Sequence, residues 1–146
     1  MWHLQISPPA RRERLQSTGT PKILAVLIEF TDTPHEDDNS RGNIDTRLFR
    51  LPNTIEMLIL EMENPKYPYE SLAAYYDRSS YGKLDLSNGT TLDWYQTAKN
   101  RSEVSETTTG REDLIKEALN YYDTQGHDFR QYDNDGDGDI DYFIVI

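Results

Sequence analysis

From Lys22 to Phe30 the sequence KILAVLIEF is apolar at almost every position, with no alternation. A strand with one wet face alternates apolar and polar residues, so an unbroken run rich in β-branched side chains predicts a strand buried on both faces. The next stretch, TDTPHEDDNSRGN (Thr31–Asn43), is polar and predicts a loop. In NTIEMLILEMEN (Asn53–Asn64), Ile55, Leu58, Ile59 and Met62 recur at the spacing of one helix face, with Pro52 and Pro65 as boundaries. YESLAAYYDRSSYG (Tyr69–Gly82) predicts another helix, burying Leu72, Tyr75 and Tyr76 and ending near Gly82.

Alternation of period two returns in KLDLSNGTTLDWY (Lys83–Tyr95), interrupted by Asn88-Gly89. That dipeptide is a strong two-residue turn signal, so the segment predicts a β-hairpin. Gln96–Thr108 predicts an exposed loop. Thr109-x-x-Glu112 has the form of a capping box. It opens a helix from Gly110 to Tyr122, with Leu114, Ile115, Ala118, Leu119 and Tyr122 as one apolar stripe. Ile140–Ile146 predicts a final strand. Residues 1–21 mix Pro, Ser, Thr and Arg without a period and read as a leader or linker, which leaves 22–146 as the folded part. No internal repeat is visible. The order of elements indicates an α/β or α+β domain.

Composition narrows the class. A chain of 146 residues, 36% apolar and 11% aromatic, has material for one real core. A net charge of −11 argues against nucleic acid and against an anionic membrane surface as partners. Without cysteine there are no disulfides, thiolate metal ligands or thiol nucleophile. The first 21 residues hold no apolar run of the kind a secretory signal needs, and no stretch approaches the roughly 20 apolar residues of a membrane span.

The acidity has a focus. In DNDGDGDID, Asp133, Asp135 and Asp137 have the spacing of positions 1, 3 and 5 of a DxDxDG calcium loop. Gly138 supplies the sharp turn at position 6, Gly136 gives further freedom, and Asp139 offers its backbone carbonyl at position 7. Ile140 stands at the apolar position 8, and Asp141 at position 9 can bind directly or through water. Five Asp in nine residues repel one another unless a cation neutralises them. Position 12, a bidentate Glu in an EF-hand, is Ile144, so this is not an EF-hand; a further ligand must come from elsewhere, with Asp128 a candidate, or binding is weak, on the order of 10⁻⁴–10⁻³ M. Magnesium, which favours stricter octahedral geometry and retained waters, suits the loop less well than calcium.

No catalytic constellation stands out. His35-Glu36-Asp37-Asp38-Asn39 begins like HExxH, but its fifth residue is Asn and it lies in a Pro-led polar loop, where i and i+4 do not share a face. His3 and His127 have no zinc-like spacing to other ligands. His127 reads as a turn residue or a hydrogen-bonding neighbour of the carboxylates. There is no GxSxG, P-loop or GxGxxG, and the tyrosines fit packing with wet hydroxyls. Asn88-Gly89-Thr90 and Asn100-Arg101-Ser102 match the glycosylation sequon, a short pattern that the turn explains better at Asn88.

Three blocks taken together carry a resemblance. PKILAVLIEFTDTPH, YPYESLAAYYDRSSYGKLDLSNGTTLDWY and DFRQYDNDGDGDIDYFIVI, in that order, resemble the immune inhibitor A family of secreted zinc metallopeptidases over Pro21 to Ile146. The pairing of YYDRSSYGKLDL with YDNDGDGDID is the specific part; the first strand alone is weak. The resemblance implies a zincin-like metallopeptidase domain, with a mixed sheet and packed helices, represented by its N-terminal portion and therefore incomplete. It implies a structural calcium at the Asp loop, zinc for the complete family domain, protein substrates for the intact enzyme, and an extracellular setting. In that family the strand after the Asp loop is followed by an HExxH helix, whose two His bind zinc and whose Glu is the general base. None of these residues is in this sequence, so the chain is expected to be inactive alone. The alternative, from another class, is a stand-alone calcium-binding structural or adhesion module. A third reading is complementation by a separate C-terminal half-domain, which needs an exposed edge at Ile140–Ile146.

Overall fold

A computed structural model of the chain describes residues 17–50 and 70–146. The helix expected at Asn53–Asn64 and most of the expected leader lie outside the described residues. The strand expected at Lys22–Phe30 is β1, Leu24–Glu29, and its Leu24, Ala25, Val26 and Leu27 are wholly buried. Full burial of each large apolar side chain contributes about 1.5–3 kcal/mol, which makes this strand the thermodynamic centre of the domain. It is flanked by β2, Thr90–Gln96, and β3, Phe143–Val145, in the order β2-β1-β3. Both pairs run parallel, Leu24 facing Thr90 on one side and Phe143 on the other. Antiparallel pairing is confined, among the described residues, to the isolated bridge between Phe30 and Thr33.

Parallel neighbours cannot be joined by a tight turn, so the chain crosses over between them. Helices α1, Arg41–Phe49, and α2, Leu72–Ser79, lie between β1 and β2 in sequence, and α3, Thr108–Thr124, lies between β2 and β3. Alternation along β1 sorts the core into two layers. Leu24, Val26 and Ile28 pack with Leu92, with Leu114, Ala118 and Leu119 of α3, and with Tyr132. Ile23 and Ala25 pack on the opposite side with Phe49 of α1, Ala73 of α2, and Leu86. The domain is α/β, helices covering both faces of a parallel sheet, and the apolar stripe expected on α3 is the one it turns to the sheet.

Several expectations are corrected. Lys83–Tyr95 is not a hairpin: β2 starts at Thr90 and pairs with β1, while Leu84 only bridges to Gly19. The buried edge of β1 offers β2 a longer apolar ladder than a local turn could. Gly19 also donates to the Lys83 carbonyl and accepts from the Asp85 amide, so the chain is tied to the domain ahead of Lys22. In α2 the buried residue is Ala73; Tyr75 and Tyr76 are 48% and 39% exposed and Leu72 is half-buried. A small residue lets α2 approach the α1 layer closely, and this sets the buried face more strongly than ring size. The helix does end as expected, with Gly82 at φ 73° donating to the Asp77 carbonyl at 2.8 Å.

The polar stretch after β1 is shorter than expected, because α1 begins at Arg41. Ser40 caps it, accepting from the Asn43 amide, and Asp45 locks it to β2 by accepting from the Thr91 hydroxyl at 2.9 Å and from Nε of Arg50 at 2.7 Å. The capping box expected on α3 does not form. Thr107, not Thr109, is the cap, and its hydroxyl accepts from the Gly110 amide at 3.2 Å.

Candidate metal site

The Asp loop hangs between two fixed points. At its start, residues Phe129–Tyr132 form a short 3₁₀ turn whose Tyr132 is wholly buried, with its hydroxyl 3.0 Å from Nε2 of His127. Burial pushes the His127 imidazole below its usual pKa. At its end, the Asp141 amide donates to the Tyr132 carbonyl at 3.2 Å, just before the chain enters β3. The residues between must turn back sharply, and they do so through Gly136 at φ 83° and Gly138 at φ 98°, conformations that side chains rarely adopt.

Asp133 organises the turn from within. One carboxylate oxygen accepts from the Gly136 amide at 2.6 Å and the Asp137 amide at 3.1 Å, and the other accepts from the Gly138 amide at 2.9 Å. Asp135 accepts from the Asp137 amide, and Asp141 accepts from the Asn134 amide at 2.5 Å. The outcome is that Asp133, Asp135 and Asp141 each bring an oxygen within 4.8 Å of the others. Calcium binds oxygen at about 2.3–2.6 Å, so two oxygens on one ion stand no more than about 5 Å apart, and the group fits that limit.

Electrostatics point the same way. Desolvation, and the charges of Asp141, Asp137 and Asp133, push the Asp135 carboxyl above its usual pKa, against the pull of the Asp137 amide. A cation among these oxygens would relieve that repulsion. All the donors are hard carboxylate oxygens, a set suited to calcium and poor for zinc.

Not every expected ligand is in this group. The Asp137 carboxylate is turned to the Asp139 amide at 2.9 Å and does not join the three converging carboxylates. The Asp139 carboxylate lies outside them too, as suits a residue expected to offer its backbone carbonyl. Asp128 also stays out, accepting from the amide and Nε of Arg130 to cap the 3₁₀ turn. Sequence reasoning passed over Asn134, whose amide holds Asp141. Between two Asp of a repeating pattern it reads as filler, and nothing in the spacing singles it out.

The histidines offer no zinc centre among the described residues. His35 lies flat on Trp94, ring centroids 4.7 Å apart, and its Nδ1 is 2.7 Å from the Glu29 carboxylate. His127 is engaged with Tyr132. Neither belongs to a group of three possible ligands; among the described residues the Asp133, Asp135 and Asp141 group is the one that converges. A further polar cluster closes the α3 face. Glu117 accepts from the Tyr95 hydroxyl at 2.8 Å, the Thr97 hydroxyl at 2.7 Å and the Lys99 ammonium at 2.8 Å. Every oxygen there is used within the fold, which marks it as structural. No helix among the described residues is long and apolar enough to cross a membrane.

Compared with known proteins, the chain matches one family model, described as immune inhibitor A peptidase M6, catalytic domain, over residues 11–143. No curated protein matches it.

Proposed function

Since the chain belongs to the immune inhibitor A peptidase M6 family, a family of metallopeptidases, we propose that it supplies the scaffold of that catalytic domain and holds a structural calcium ion in the loop from Asp133 to Asp141. The observation that carries the calcium reading is the convergence of Asp133, Asp135 and Asp141 on a point within reach of one ion. Its role is structural: the loop is the link between the buried Tyr132 and β3, and a cation there removes the repulsion that would otherwise open it.

No proteolytic step is assigned to the residues of this chain. The sequence has no HExxH, and its described histidines are held singly by Glu29 and Tyr132. On this reading the chain alone does not hydrolyse protein. Zinc chemistry belongs to the family's complete domain, which acts on protein substrates outside the cell. Phe143, Val145 and Ile146 are 47%, 39% and 44% exposed. β3 is also an edge of the described sheet, which supports the reading of a C-terminal half-domain that adds a strand there.

The test is a calcium titration of the purified chain followed by calorimetry and thermal melting, against an EDTA-treated control. Binding with a rise in Tm supports the reading. A melt indifferent to calcium would sink it. A calcium-stabilised chain that ignores a separately produced C-terminal half-domain would favour a stand-alone calcium-binding structural module instead.

A further inference from the structure

The side-chain amide of Asn134 makes a bond that belongs to neither the Asp loop nor a regular sheet. Its Oδ1 accepts from the backbone N–H of Lys22 at 2.7 Å, and its Nδ2 donates to the Lys22 carbonyl at 3.2 Å and to the Tyr132 carbonyl at 3.1 Å. Lys22 is 112 residues away in sequence and stands two positions ahead of Leu24, the first residue of β1.

Backbone groups two residues apart on a strand point to the same side. The Leu24 amide donates to the Tyr142 carbonyl at 3.1 Å, on the side where β3 lies. The Lys22 peptide faces that side too, but the chain of β3 has by then left for the loop, at Asp141. Asn134 fills the missing rung. Its side-chain amide carries two N–H donors and an oxygen acceptor, so it meets both groups of Lys22 as a neighbouring strand would and still has a donor for the Tyr132 carbonyl. An aspartate could accept but not donate, and a glycine could do neither.

Asn134 is also fixed from the loop side. It sits between Asp133 and Asp135, and its own backbone amide holds Asp141 at 2.5 Å. The three converging carboxylates are thus its two sequence neighbours and its hydrogen-bond acceptor. A shift of the loop that spreads these carboxylates moves Asn134, and with it the start of β1. Lys22 adds a second tie, with its ammonium bonded to Gln131 and 5.8 Å above the Tyr132 ring.

We infer that Asn134 is a coupling residue: through its amide bonds to Lys22 it transmits cation occupancy of the Asp133–Asp141 loop to the order of the central strand. This rests on the calcium reading above. A ligand that binds one arrangement of an element stabilises whatever is linked to that arrangement, and the linkage is reciprocal. Without Asn134 the carboxylates remain, but the ion no longer secures the sheet.

The test is hydrogen exchange followed by mass spectrometry on the full chain, with calcium chloride and with EDTA. In the wild type, calcium is expected to slow exchange both in residues 133–141 and at residues 22–26. Asn134→Ala should keep the slowing in the loop, lose it at 22–26, and weaken calcium binding in calorimetry by the factor the lost linkage requires. Asn134→Asp, which preserves the bond from the Lys22 N–H and breaks the one to its carbonyl, should fall between the two, and it serves if the alanine variant does not fold. Undiminished slowing at 22–26 in Asn134→Ala would overturn the inference, as would wild-type slowing confined to the loop; in both cases the calcium reading stands. No slowing anywhere in the wild type would overturn the calcium reading and this inference with it.

Discussion

The ring of Phe49 occupies the space that a side chain on Gly89 would need. A β-carbon built on Gly89 would stand 2.3 Å from Cδ1 of Phe49, well inside van der Waals contact. Phe49 is the last residue of α1, wholly buried against Ala73 and Leu86, and has little room to withdraw. Gly89→Ala is therefore expected to destabilise the domain by about 1–3 kcal/mol, the cost of overpacking a filled core. Chemical denaturation measures this directly, and an alanine variant as stable as the wild type would mean that Phe49 is not held there.

The same pair shows how far the sequence could be read. Asn88-Gly89 looks like a hairpin turn because the dipeptide signals freedom of the backbone, and it is silent on why that freedom is kept. Here the glycine makes room for a ring 40 residues earlier, a long-range fact with no local trace. β1 was legible because burial on both faces leaves an unbroken apolar run, and α3 because a helix on one sheet face keeps a clean stripe. On α2 the tyrosines suggested the wrong face, since Ala73 contributes almost nothing to an apolar pattern yet decides how closely the helix packs. In the Asp loop the spacing named the carboxylates, but which of them converge depends on which backbone amides each one accepts, and spacing does not encode that.

The start of α3 offers a sharp comparison between two threonines two residues apart. Thr107 accepts from the Gly110 amide, and Gly110 is itself confined, since a β-carbon there would lie 2.4 Å from the Ser105 carbonyl oxygen. Loss of an N-cap hydroxyl costs about 1 kcal/mol. Thr107→Ala should show that loss in thermal or urea unfolding, whereas Thr109→Ala, inside the first turn, should be close to neutral. The reverse order would restore the capping box expected from sequence.

Glu117 should make stability pH-dependent. Its bond to Lys99, assisted by Thr97 and Tyr95 and opposed by burial, holds its carboxyl below the usual glutamate value. A depressed pKa means the unfolded chain takes up the proton first as pH falls. The contribution is thus complete above the ordinary glutamate pKa of about 4.3 and is lost as pH drops through the lower folded value. Glu117→Gln should be less stable than the wild type at neutral pH by about 1–2 kcal/mol, the scale of hydrogen bonds to a charged group partly open to water. The gap should close in acid. A gap that persists unchanged to pH 3 would mean the charge is not what matters.

The loop itself predicts unequal effects for residues that look equivalent in sequence. Asp133 is expected to be the most costly to neutralise, because its oxygens hold the amides of Gly136, Asp137 and Gly138 and it also belongs to the converging group. Asp133→Asn should lower stability even in EDTA. Asp135→Asn should cost nothing in EDTA, since it removes repulsion and keeps an oxygen for the Asp137 amide. It should nonetheless abolish the gain in stability expected on the calcium reading, about 2.7 kcal/mol at a hundredfold excess over Kd. Asp139→Asn, whose carboxylate lies outside the converging group, should leave most of that gain intact. Thermal melts of the three variants with and without calcium separate these cases. Equal losses at all three positions would mean that overall charge, and not a defined set of ligands, governs the loop.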